Sequence, residues 1–146
     1  MITTPQRQTF DLLLEEVIDE LPEHLASLLE EVPVVVEDRP SRKVMEEMKL
    51  DPTVKYLCGL YSGFAMTHRS VELSGVLLDH ITLFREGIIR LAGSGRSAAR
   101  RFGVLREGAK HSAMEDLKAE IRVTLLHEMG HHFGLDEDDL AEVGFD

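Results

Sequence analysis

Cysteine occurs once in the 146 residues, so the chain can close no internal disulfide. That cysteine, Cys58, lies in the apolar run 56–64 and reads as a small core residue. Cations are scarce too: 16 Lys and Arg face 27 Asp and Glu, for a net charge of −11. Phosphate contacts need clustered Lys and Arg, so a nucleic-acid partner is not expected. Long apolar runs are missing; none approaches the roughly 20 residues of a membrane span, and no membrane association is expected. The opening Met1-Ile2-Thr3-Thr4-Pro5-Gln6-Arg7 lacks the basic-then-apolar layout of a signal peptide. Together these absences predict a reduced, cytoplasmic protein. Repeats, low-complexity tracts and composition breaks are also lacking. With 43% hydrophobic and 29% charged residues, the chain has the balance of a globular protein and enough length for one core. A single domain over 1–146 is expected.

What is present begins with a helix. Thr4 reads as its N-cap and Pro5 as its first residue. Phe10, Leu13, Leu14, Val17 and Leu21 follow at helical spacing, with acids on the other face, and Pro22 stops the run. A short second helical piece is predicted over 23–30. The β-branched stretch Val32-Pro33-Val34-Val35-Val36-Glu37 reads as a strand, ended by Asp38-Arg39-Pro40. Residues 42–52 read as a helical turn or loop. The glycines of 56–64 signal close backbone approach or a turn between short strands. Asp79-His80-Ile81-Thr82-Leu83-Phe84-Arg85 reads as a strand with one wet side. Residues 88–91 form a predicted helical turn, followed by a glycine-rich loop. Arg85, Arg90, Arg96, Arg100, Arg101 and Arg106 make the chain locally basic there. A solvated stretch that balances the acidic helices is the favoured reading over an acidic partner.

The longest predicted helix carries the chemistry. Ser112 with Glu115 forms a capping box, and the helix runs from about 113 to 133. Leu117, Ile121, Leu125 and Met129 form its apolar face, and Gly134 sits where helices end. Near its end stands His127-Glu128-Met129-Gly130-His131, a His-Glu-x-x-His pattern. Histidines at i and i+4 share a helical face and can offer two nitrogens to one metal ion. Zinc takes nitrogen at about 2.0–2.1 Å in tetrahedral geometry and keeps one position for water in catalytic sites. Glu128 projects beside such a metal and suits a general base. Gly134 lets the chain turn back with a third ligand. In the extended pattern that ligand falls at Glu137, which competes with a first-turn role in a final helix over 137–143. Asp136 suits the N-cap of that helix, and Asp138 is the fallback ligand. His132, rotated about 100° from His131, reads as a surface histidine or one behind the ligands.

The string Leu125–Leu140 resembles the small bacterial zincin-like metallopeptidase family. Ile81–Arg85, Gly59–Gly63, Asp38-Arg39-Pro40 and Leu21-Pro22-Glu23 share the likeness, which covers nearly the whole chain. The family pattern ends in Asp where this chain has Glu137. The resemblance implies an α+β, minimal zincin-like fold, with a small mixed sheet packed against an active-site helix and flanking helices. It implies a Zn2+ cofactor and hydrolysis of peptide bonds in a peptide or unfolded protein. Glu128 would be the general base, metal-bound water the nucleophile, and His127, His131 and Glu137 the ligands. A strand edge aligns substrate in such proteins; the 79–85 strand is the expected one. Tyr61 and His80 are the candidate oxyanion donors. The alternative function is a metal-binding interaction or regulatory module without proteolysis.

Overall fold

The computed structural model describes residues 2–47, 59–62, 80–94 and 112–133. Helix α1 spans Thr4–Asp19. Its cap is Thr3, one residue earlier than expected. The Thr3 hydroxyl accepts from the Gln6 amide, and the Gln6 side chain accepts from the Thr3 amide. This reciprocal pair is available to Thr3 and not to Thr4, because the third helical position from Thr3 holds Gln6. Pro5 still falls in the first turn, where its missing N–H costs nothing. Phe10, Leu13, Leu14 and Val17 are buried, as their spacing requires. Past Pro22 come a short helix α2 over Glu23–Ala26 and a 3-10 turn over Ser27–Glu30.

Strand β1 covers Val34–Glu37, and helix α3 covers Arg42–Glu47. Strands β2, Gly59–Ser62, and β3, His80–Phe84, complete a three-stranded sheet in the order β1-β3-β2. β1 runs parallel to β3 with Val34 opposite Ile81; β2 runs antiparallel with Gly59 opposite Leu83. The Pro33 carbonyl extends the first ladder by accepting from the Ile81 amide at 3.0 Å. The sheet is mixed and the fold is α+β, as the resemblance implies.

β3 departs from expectation. Its predicted wet side is dry: Ile81, Thr82, Leu83 and Phe84 are all buried. The helices Arg85–Ala92 and Ala113–Phe133 both touch the strand, and burial of four residues in a row means that both its faces are covered. A strand covered on both faces loses the polar alternation of a half-exposed one. Helix α4, Arg85–Ala92, follows directly and is longer than the predicted turn.

Helix α5 spans Ala113–Phe133, and its first turn is capped by the Ser112 hydroxyl, which accepts from the Glu115 amide at 3.1 Å. α1, α4, β2 and β3 all touch it. It is therefore buried around most of its circumference between Ala119 and Met129, and not only along the expected Leu117–Met129 face. Ile121, Leu125, Leu126 and Met129 join Phe10, Val17, Leu25, Ile81, Leu83 and Ile88 in one apolar cluster.

Charges tie the helices to this core. The Asp38 carboxylate accepts from Arg7 at 2.9 Å and from Arg85 at 3.0 Å. Arg85 also pairs with Asp11 and lies 5.9 Å over the Phe10 ring. At the other end, Lys118 and Arg122 of α5 both pair with Glu20. Arg90 pairs with Glu86. So Arg85 and Arg90 are paired with acids within the molecule, on a helix and not in a loop; Arg96, Arg100, Arg101 and Arg106 lie outside the described residues.

Hydrogen bonding by Arg7, helped by Arg85, holds the Asp38 carboxyl below its ordinary range. A lowered folded pKa stabilises the protein fully above the unfolded value near about 4, and this contribution fades as pH falls through the folded value. Asp38→Ala is therefore expected to cost about 1–2 kcal/mol at neutral pH. The cost should shrink in acid. Urea unfolding of both proteins at neutral and strongly acidic pH checks the sign; a penalty that grows in acid would contradict it.

Candidate active site

The His-Glu-x-x-His pattern lies wholly within α5. Because the helix is unbroken there, positions 127 and 131 stand about 6 Å apart along its axis and within about 40° of each other. His127 is exposed, the only such position from Ala119 to Gly130. Its neighbours Leu125, Leu126 and Met129 are fully buried. Core packing thus fixes the helix rotation and leaves His127 turned to solvent. His131 is placed by its backbone, one turn further on.

Glu128 behaves differently from its neighbour in sequence. It is only 7% exposed. Thr124, one turn earlier, is equally buried, and Glu120 is 1% exposed. These three make a buried polar stripe at i, i+4 and i+8. Strand β2 lies across the stripe. A Cβ built on Gly59 would stand 2.9 Å from Cγ of Glu128, 3.1 Å from Cγ2 of Thr124 and 3.4 Å from Cδ of Glu128. The Glu128 stem is thus held between helix and strand. An accessible imidazole and a sheltered carboxylate follow each other on one helix, the division of labour a metal ligand and a general base require.

Gly130 has the opposite surroundings. Among the described residues nothing lies within 4 Å of where its Cβ would be. Glycine inside a helix costs about 1 kcal/mol relative to alanine. Gly130→Ala is therefore expected to stabilise the protein by about 0.5–1 kcal/mol, measured by chemical denaturation. A loss of stability would show that the space is already filled.

The other predicted residues fare unequally. Ser62 pairs with His80 and Tyr61 with Ile81, so Tyr61 and His80 sit at adjoining positions on neighbouring strands. Tyr61 is two residues along β2 from Gly59. Glu137, Asp136, Asp138 and Gly134 lie outside the described residues, as does Cys58. Among the described residues no three His, Cys, Asp or Glu side chains gather as a metal-holding group. None of the described helices is long and apolar enough to cross a membrane.

One expectation is overturned. The 79–85 strand cannot take a substrate strand, because β3 already pairs with β1 on one edge and β2 on the other. Its main-chain donors and acceptors are committed to those ladders. β2 is the strand that borders Glu128, and among the described residues it has a partner on one side only. The contact between Gly59 and Glu128 had a partial signal in the sequence, since glycine inside a strand marks close backbone approach. Nothing local says which helix approaches.

The donor types and their setting fit zinc. Two histidine positions share one face of a rigid helix, one imidazole is exposed, and a glycine cradle makes room for the acid beside them. A family model described as zincin-like metallopeptidase matches residues 29–102 and 103–145, most of the chain. No curated protein matches it.

Proposed function

The chain belongs to the zincin-like metallopeptidase family, and from this we propose that it is a zinc-dependent peptidase acting on peptides or unfolded polypeptides. The family implies zinc. We assign the ion to His127, His131 and Glu137. When bound, zinc supplies a Lewis acid that polarises the peptide carbonyl and acidifies water.

The remaining chemistry falls to the chain's own residues. Glu128 accepts a proton from the attacking water and delivers it to the leaving amine. Its shelter beneath β2 keeps bulk water from competing for that proton. A substrate strand adding to the outer edge of β2 would be held by main-chain hydrogen bonds beside Glu128. The observation that carries this reading is the pairing of exposed His127 with buried Glu128 on one unbroken helix.

Cleavage of fluorescein-labelled casein tests it. The zinc-loaded chain is expected to release fluorescence, to stop on chelation and to resume when zinc is restored. Cleavage that persists at full rate after chelation would remove zinc from the account. No cleavage by fully zinc-loaded protein would remove the peptidase reading for unfolded polypeptides and leave a metal-binding module.

A further inference from the structure

We propose that Gly59 is a positioning residue for Glu128. The inference rests on the reading of Glu128 as the general base and adds to it a second residue, far away in the chain. Gly59 is the first residue of β2, paired opposite Leu83, and its φ is outside the left-handed region that only glycine tolerates. Backbone conformation therefore does not require glycine there. Glycine inside a strand weakens it, so its presence calls for another cause. Approach to α5 supplies that cause. A methyl at position 59 would meet Cγ of Glu128 at 2.9 Å and Cγ2 of Thr124 at 3.1 Å.

Neither side of this contact can yield easily. The atom struck is the middle of the Glu128 side chain and not its mobile tip. Thr124 is β-branched and has only two favoured χ1 positions on a helix. α5 is anchored by Leu125, Leu126 and Met129, each fully buried. β2 is held in register by β3, with Gly59 opposite Leu83. A side chain at position 59 must then rotate Glu128, which moves the carboxylate, or lift the strand, which removes the wall that holds it. Cδ of Glu128, 3.4 Å from the same point, lies close enough that the strand also limits where the carboxylate turns. Misplacement of a reacting group by about 1 Å can cost about 100-fold in rate.

A double-mutant cycle on the full chain tests the contact without any activity. Gly59→Ala is expected to lower the melting temperature by about 2–8 °C in the native background. In a Glu128→Ala background more than half of that loss should disappear, because the struck atom is gone. If Gly59→Ala does not fold alone, recovery of folding in the Glu128→Ala background is the supporting result. Equal losses in both backgrounds, or no recovery, would overturn the proposal. Kinetics on labelled casein then separate positioning from bulk damage. Gly59→Ala should keep its zinc and its KM while kcat falls about 100-fold. An unchanged kcat in an active enzyme overturns the positioning role. A wild-type chain that cleaves nothing counts against the peptidase reading, while the cycle still decides the contact.

Discussion

Glu128→Gln is expected to keep its zinc and lose peptide hydrolysis, with kcat falling about 10²–10⁴-fold, the range that a positioned general base supplies. The substitution is nearly isosteric. It preserves the methylene stem that fills the space between Thr124 and Gly59, so the fold should be undisturbed. What changes is the ability to take a proton: the amide nitrogen has no free lone pair to accept it, and the amide oxygen is a far weaker base than a carboxylate. Melting temperature and zinc content should therefore match the wild type while turnover on labelled casein does not. Retained turnover would show that another group moves the proton.

His127→Ala and His131→Ala are expected to weaken zinc binding by more than about 100-fold, beyond the 10–100-fold seen when only a group behind a ligand is lost. His127 allows a clean measurement. Its side chain is exposed, so its removal leaves no cavity in the core. The metal-free variant should melt close to the metal-free wild type. Zinc should then raise the melting point of the wild type only. Zinc at about 100 times its dissociation constant would stabilise the wild type by about 2.7 kcal/mol. The same zinc concentration should leave the variant nearly unmoved. Equal stabilisation of both proteins would mean the ion is held elsewhere.

Much of this was legible before the structure. Ser112 and the His-Glu-x-x-His pattern placed α5 and the histidine positions, because caps and helical spacing are local signals. The β-branched run before Glu37 placed β1 for the same reason. The errors come from neighbours that a local pattern cannot register. The pattern of β3 reads as half wet, although Thr82 and Phe84 are buried along with Ile81 and Leu83. Partial alternation along one strand does not reveal that both faces are covered or that both edges are paired. For the same reason the local pattern offers β3 as a substrate strand, although both its edges are already paired. On α5 the sequence pattern shows one apolar face where the structure buries several, since α1, α4 and the sheet all pack on it. The cap shifted from Thr4 to Thr3 because two adjacent threonines offer the same hydroxyl, and Gln6 decides between them. Burial of Glu128 under Gly59 joins two distant segments, which no spacing rule foretells.

The account depends most on the histidine face of α5 holding a metal ion. Elemental analysis of protein purified without added metal, beside the His131→Ala variant prepared identically, measures that directly. About one zinc per wild-type chain and almost none in the variant is the predicted result; the same zinc content in both, or none in either after zinc loading, would contradict it.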